Sequence, residues 1–363
     1  IGSTPEKNRA IMKLFVEWTD FDVLKVDPWR VVYDTEFEHA QCSTTRSQFL
    51  ENTSSQQRHA IAIAICTDLG YPTEVSGRIK SIDAMKKYMQ QTGSYWCPVP
   101  RFYSMTKAKN LDGPYKVMNN HVALCKYAEI EEQLADYLVD IHQNFFPYLI
   151  RPLPQDCPLD KTQLKAVSMA TTNGISIIYG GAGVGKTTIT RTLFEIIPDA
   201  VGAAPTGKAA QRVKELAPEG TPIYTVHRMV YSSKKFNSNV LILDEQSMQE
   251  PYVLWKLLSK EHFNSIIFVG DRCQLTSVGP GQFLRDCINS TLPSMECQHI
   301  YRTGPNSVIA LNGQKIRDGD VELRTNESFR RIPYHSSQQI LPFVKAEKYT
   351  ILCSTNSEVA ELN

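Results

Sequence analysis

The stretch Gly180-Gly-Ala-Gly-Val-Gly185-Lys186-Thr187 constrains this chain more than any other. It fits GxxxxGK[ST], follows a predicted strand and precedes a predicted helix, which is the context the motif requires. Glycines let successive backbone N–H groups curl around phosphate oxygens without Cβ clashes. The helix N-terminus that follows adds positive potential. Lys186 is expected to bridge the β- and γ-phosphates of ATP, and Thr187 to ligate Mg²⁺. The expected nucleotide-binding residues are therefore Gly180, Gly181, Ala182, Gly183, Val184, Gly185, Lys186, Thr187 and Thr188.

Such a loop needs a parallel sheet around it, and the chain supplies one. Short apolar runs alternate with helical segments: ISIIY (Ile175–Tyr179), VGAA (Val201–Ala204), VLIL (Val240–Leu243) and SIIFV (Ser265–Val269). Continuous apolar strands separated by helices imply an α/β domain whose parallel sheet is covered on both faces. Upstream, residues 1–150 read as a mostly helical domain. Tyr127, Ile130, Leu134, Tyr137, Leu138 and Ile141 recur at helical spacing and define one buried face. The Pro-rich, polar RPLPQDCPLD (Arg151–Asp160) reads as a linker. A motor domain is expected over 151–290. A second α/β domain is expected to start within 291–363, around YTILC (Tyr349–Cys353).

Further motifs give that sheet a chemistry. Asp244 and Glu245 end the strand VLIL, where a carboxylate lies beside the phosphate loop. A lone Asp-Glu pair is usually solvated surface. Directly after four apolar residues, and downstream of a phosphate loop, Asp244 reads as a Mg²⁺ holder and Glu245 as the base that orients and deprotonates the attacking water. A GTPase would need DxxG after a strand and an NKxD. Here the strand ends in Asp-Glu-Gln-Ser and no NKxD occurs. Gln274, in GDRCQL, can report on the γ-phosphate, and Arg302, in HIYR, is a candidate arginine finger. Ala204-Pro205-Thr206-Gly207-Lys208 places a hydroxyl and an ammonium at a helix N-terminus, a second anion site suited to nucleic-acid phosphate. Thr225-Val-His227-Arg228 groups a hydroxyl, an imidazole and a guanidinium that can do the same.

Composition sets the limits. The 363 residues are 42% hydrophobic and 21% charged, ordinary for a soluble globular protein. With 39 Lys+Arg against 38 Asp+Glu, the net charge of +1 excludes an all-round positive coat, so a nucleic-acid site must be a local groove. Nine scattered cysteines contain no CxxC pair, which argues against a zinc site and for reduced thiols. No apolar run approaches the ~18 residues of a membrane span. The charged opening IGSTPEKNRA is no signal peptide, and it lacks a starting Met, so the natural N-terminus is expected upstream.

The motifs GGAGVGKTT, APTGKAAQRV, TVHR, LILDEQSM, VGDRCQLTSVGPGQFLRD and IYR occur in the order and spacing of RecD-like superfamily 1 DNA helicases, a group that includes bacterial RecD homologues and eukaryotic DNA helicase B. The resemblance covers most of Leu159 to Asn363. It implies a RecA-like motor driven by ATP and Mg²⁺, moving 5′→3′ on single-stranded DNA in replication, recombination or repair. By the same resemblance Gln163, in LDKTQLKAV, matches the glutamine that reads adenine, and Pro205, Thr206, Lys208, Thr225 and His227 fall on the DNA path. Tyr349–Asn363 is similar to a strand and helix of the family's second motor domain, so this second lobe is expected to be incomplete here. Asp27-Pro-Trp-Arg30 resembles the family's NPYRL element, and Tyr127-Ala-Glu-Ile130 its helix before the motor. The family's Gly-Phe/Ala-Asp segment between them is not recognisable.

One N-terminal segment invites a separate reading. Arg78 to Lys109 holds seven basic residues against one acidic, Asp83, interleaved with Tyr88, Tyr95, Trp96, Phe102 and Tyr103. That is the composition of a single-strand stacking platform. The blander reading, favoured here, makes the aromatics core and the lysines a solvated face. Two alternatives to a DNA helicase remain. One is an RNA helicase of viral type working on RNA, against which the APTGKAA and TVHR elements argue. The other is an ATP-switched nucleic-acid scaffold or loader. Protein partners through the N-terminal domain are left open. The location is expected to be intracellular: the nucleus in a eukaryote, the cytoplasm for a bacterial or phage protein.

Overall fold

The computed structural model describes residues 76–106, 115–233, 235–277, 279–301, 307–317, 319–331, 352–353 and 355–362. The chain divides into two compact units: Ile1–Gly181 with Lys186–Cys297, and Ala182–Gly185 with Gln298–Asn363.

The first unit begins with a small module. Helix α1 (Ser76–Thr92), strand β1 (Cys97–Pro98), helix α2 (Val99–Thr106), strands β2 (Tyr115–Met118) and β3 (His121–Leu124), and helix α3 (Cys125–Gln143) follow one another. The strands form an antiparallel sheet in the order β1-β3-β2. A region read from sequence as mostly helical thus also carries a sheet, whose strands are too short to leave a period-2 pattern. Ile82, Met85, Tyr88, Tyr95, Phe102 and Val122 are among the buried residues of its core. Tyr95 stacks on Tyr127 with centroids 4.7 Å apart, and Phe102 meets Tyr115 edge-on at 5.0 Å. The aromatics of the basic segment are therefore mostly core, with Trp96 and Tyr103 packed against it. Asp27–Arg30, Lys107 and Lys109 lie outside the described residues.

On α3, Ile130, Leu134 and Leu138 are buried, as the helical spacing requires. Leu134 and Leu138 join the core of the motor sheet, with Tyr137 and Ile141 packed against it. The approach is close. A Cβ on Gly174 would stand 2.2 Å from the Ile141 carbonyl oxygen, so only glycine lets α3 cross the start of β4. Trp255 Nε1 donates to Gln133 Oε1 at 2.9 Å across the same junction. Residues 145–160 carry no helix or strand and lead into α4 (Lys161–Thr172).

The motor sheet contains β4 (Ile175–Gly180), β5 (Ala200–Ala204), β6 (Ile223–Thr225), β7 (Val240–Leu243), β8 (Ser265–Gly270) and β9 (Ser294–Cys297), in the order β6-β5-β7-β8-β4-β9. Every pairing is parallel. β5, β7 and β8 are buried along their whole length. Strands covered on both faces need apolar side chains at every position, which is why VLIL and SIIFV are unbroken runs. The helices between them are α5 (Lys186–Ile196), α6 (Gly207–Leu216), α7 (Val226–Tyr231) and α8 (Pro251–Leu258), with α9 (Phe283–Ile288) before β9. β9 lies beyond residue 290, within the segment read as the start of a second domain, and pairs with β4 at the edge of this sheet.

In the second unit, Tyr301 N donates to the Gly183 carbonyl at 2.8 Å. Helix α10 (Val308–Arg317) buries Asn312, whose amide donates to Arg324 O at 2.6 Å and accepts from Arg324 N at 2.8 Å. Helix α11 spans Asn356–Leu362, and of the segment Tyr349–Cys353, where a strand is expected, residues 349–351 lie outside the described residues. Among the described residues no helix is long and apolar enough to cross a membrane.

Candidate nucleotide and nucleic-acid site

Strands β4, β7 and β8 are neighbours in a parallel sheet, so their carboxyl ends gather on one edge. That edge collects the residues named from sequence. β4 runs into the glycine loop. Gly183 and Gly185 both stand at φ +82°, the left-handed region that a Cβ disfavours. This is the backbone shape that turns consecutive N–H groups toward an anion.

Lys186 opens α5, and its ammonium donates to Gly180 O at 2.6 Å and Gly181 O at 2.9 Å. Burial holds this ammonium below the ordinary lysine value, opposed by the charges of Asp271, Glu245 and Asp244. A desolvated cation curled onto its own loop, with three carboxylates acting on it, is poised to exchange two carbonyls for phosphate oxygens. Thr187 and Thr188 follow on α5, each partly exposed.

Asp244 continues β7, its N–H donating to Ala203 O at 3.0 Å. Burial pushes its carboxyl up to about 6. The Glu245 N–H bond, at 2.9 Å, pulls it down, the Glu245 charge raises it, and Lys186 and Arg212 lower it. Glu245 sits at φ 55°, ψ 41°, left-handed for a residue with a side chain. Such strain costs on the order of 1–3 kcal/mol and gathers at functional sites. It also turns the chain sharply into the short helix Gln246–Met248.

Asp271 ends β8 and is only 4% exposed. Its Oδ1 accepts from Cys273 N at 3.0 Å, and its backbone carbonyl accepts from Gln274 N at 3.1 Å. It was overlooked in the sequence as a site residue. The signal was present, an acidic residue directly after a fully apolar strand, the same pattern that singled out Asp244. Gln274 is exposed, and its Oε1 accepts from Ser247 Oγ at 3.4 Å, beside the turn that carries Glu245.

Gln163 is placed by a capping box at the start of α4. Its Oε1 accepts from Asp160 N at 3.0 Å while its own N–H donates to Asp160 Oδ1 at 2.7 Å. Arg302 lies outside the described residues.

The donor set fits a nucleotide carrying Mg²⁺. Among the described residues no group of three or more His, Cys, Asp or Glu could hold a metal by itself. Mg²⁺ at such sites is held by one or two protein oxygens, with phosphates and waters completing the shell. Thr187 and Asp244 carry side-chain oxygens of that type.

The expected nucleic-acid contacts lie on the neighbouring tips of β5 and β6. Thr206 caps α6, its Oγ1 accepting from Ala209 N at 3.2 Å, and Thr225 caps α7 in the same way from Arg228 N at 3.1 Å. Pro205 is partly exposed, and Thr206, Lys208 and His227 are exposed. The His227 ring lies 6.5 Å from that of Tyr231, and Arg228 lies over Tyr224 at 5.3 Å.

A parallel sheet, a glycine loop into a helix and carboxylates on adjacent strand tips define a P-loop nucleotide-binding domain. Residues 158–336 match the protein family described as an AAA domain. Over 272 residues the chain is 25% identical to the RecBCD enzyme subunit RecD of Mycobacterium tuberculosis, covering 61% of this chain and 46% of that protein. It is 26% identical over 198 residues to DNA helicase B of Mus musculus, covering 39% and 18%. The chain thus spans less than half the length of these relatives. Among solved structures it is similar to a Pif1 helicase from Bacteroides in complex with ADP-AlF3 and single-stranded DNA, 25% identical with a TM-score of 0.36, covering 45% of this chain and 47% of that one. In sequence the chain is thus similar to RecD-like superfamily 1 helicases over part of its length.

Proposed function

We propose that this chain is an ATP-hydrolysing motor that moves 5′→3′ along single-stranded DNA and separates duplex in replication, recombination or repair. The observation that carries the chemical part is Lys186. Its desolvated ammonium lies in the field of Asp271, Glu245 and Asp244, which follow β8 and β7, the next two strands on one side of its own. RecD is a RecBCD subunit and helicase B a DNA helicase, which supports DNA rather than RNA as the polymer.

In this reading Lys186 leaves its two loop carbonyls to bind the β- and γ-phosphate oxygens, and residues 180–185 cradle the phosphates through their N–H groups. Thr187 and Asp244 would hold Mg²⁺, which would supply charge neutralisation on the phosphates. Glu245 accepts a proton from the water that attacks the γ-phosphorus, while the bond to the β–γ bridging oxygen breaks and ADP leaves. Gln274 contacts the γ-phosphate and reports its loss through Ser247. Gln163 reads adenine, and Arg302 adds positive charge to the transferring group. Pro205, Thr206, Lys208, Thr225 and His227 hold the DNA backbone at two helix N-termini.

The test is Glu245→Gln. ATP binding, followed by a fluorescent nucleotide, should persist, while turnover falls by about 10²-fold or more. Nucleotide affinity lost together with turnover would show that Glu245 is a ligand or a structural residue.

A further inference from the structure

A cavity of about 570 Å³ lies within the first unit, between the small module and the motor sheet. Its walls include Tyr95 and Trp96 from the turn after α1, Leu134 and Leu138 from α3, Phe283 from α9, and Leu292. Two carboxylates share this lining, Glu131 on α3 and Asp286 on α9. No Lys, Arg or His occurs among the described residues that line it. Trp96 Nε1 donates to Glu131 Oε2 at 2.6 Å, which fixes that carboxylate's orientation.

Glu131 is partly buried, and Asp286 is exposed. Burial raises the Glu131 carboxyl above its ordinary value, the Trp96 hydrogen bond draws it back, and the charge of Asp286 raises it again. Asp286 reaches solvent at the cavity's rim, and the partial burial of its carboxyl raises it as well, with Arg285 opposing. Like charges lining one cavity stabilise nothing by themselves. What relieves them is a positive charge placed between them.

We propose that this cavity binds a small organic cation with an apolar body, of the aryl- or alkyl-ammonium or amidinium class, its charge at Glu131 and Asp286 and its body against Leu134, Leu138 and Phe283. The volume falls in the range of small-molecule sites, which are mostly apolar with a few polar groups that fix orientation. Charge complementarity selects the occupant. An anion meets two carboxylates, and a bare metal ion leaves the apolar wall unused. The lining also includes Gly281 and Gln282, and Gly281 N donates to Gly93 O at 2.8 Å. An occupant therefore rests against the loop that runs on from Gln274. The site uses none of the nucleotide-binding residues, so its test is independent of the function proposed above.

The probe is 4-aminobenzamidine, a monocation whose fluorescence rises when it leaves water, titrated into the full chain without nucleotide. Saturable binding at one equivalent is expected, with a Kd of about 1 mM or tighter, the range open to so few non-hydrogen atoms. The neutral isostere 4-aminobenzamide should bind about tenfold more weakly or worse, and so should the probe to Glu131→Gln/Asp286→Asn. If the double variant does not fold, Asp286→Asn alone, which leaves the Trp96–Glu131 bond in place, should weaken binding about threefold or more. Absence of saturable binding, equal binding of the neutral amide, or indifference to these substitutions would overturn the proposal.

Discussion

Two stretches of the sheet's carboxyl edge are built on opposite principles. At the ends of β4, β7 and β8 the groups are desolvated, charged and conformationally forced: Lys186 below its usual value, Asp244 pushed to about 6, Glu245 left-handed, Asp271 buried. At the ends of β5 and β6 the groups are ordinary. Thr206 and Thr225 are plain helix caps, and Lys208 and His227 are exposed side chains on the first turns. Charge stabilisation of a transition state rewards groups fixed in advance in a dry site. A polymer that must slide rewards exposed, individually weak contacts to phosphate. The first stretch should therefore fail all-or-none on substitution, and the second by degrees.

The largest expected effect is that of Lys186→Ala. It removes the phosphate clamp and leaves Asp244, Glu245 and Asp271 without the cation whose charge they face. Losing such a clamp costs at least ~2–4 kcal/mol of barrier, a fall of about 10²-fold or more in turnover. Steady-state ATPase measurements retaining more than about a tenth of wild-type rate would break the comparison, because the dry stretch would then behave like the open one.

How much of this could be read from sequence follows the same division. The glycine loop and the four apolar runs were legible because fully covered parallel strands must be apolar throughout, and VLIL coincides with β7 from Val240 to Leu243. β6 and β9 escaped because IYT and SMEC are short and only partly buried, so periodicity has nothing to register. The three strands of the small module, two to four residues each, escaped for the same reason. In the site, Lys186, Asp244 and Glu245 were legible as motif residues at strand ends. The left-handed backbone of Glu245 was not, since nothing in Asp-Glu-Gln-Ser encodes it. Nor could sequence show that Oε1 of Gln163 serves a capping box, which depends on where α4 starts.

A smaller effect is expected of Thr206→Ala. The hydroxyl caps α6 and stands on the expected DNA path, so the substitution should lower stability by about 1 kcal/mol and weaken single-stranded DNA binding in parallel. Thr206→Ser keeps the capping oxygen and should restore both. Chemical denaturation and fluorescence anisotropy on the same samples separate the outcomes. Loss of stability with unchanged DNA affinity would leave Thr206 a cap and nothing more.

The smallest effect, and the sharpest for the open stretch, is that of Lys208→Ala. Lys208 lies on the first turn of α6 with its side chain exposed, and removing it disturbs no buried group. If it meets a DNA phosphate, its contribution is largely the release of a condensed counterion. The variant should then bind all single-stranded sequences about equally more weakly, and the slope of log K against log salt should fall by roughly 0.7, the value for one phosphate on a single strand. ATPase without DNA should match wild type, because no atom of the nucleotide stretch has moved. An unchanged salt slope would remove Lys208 from the DNA path. A fall in basal ATPase would show that the two stretches are coupled even without DNA, and that the contrast between them is one of exposure rather than of independence.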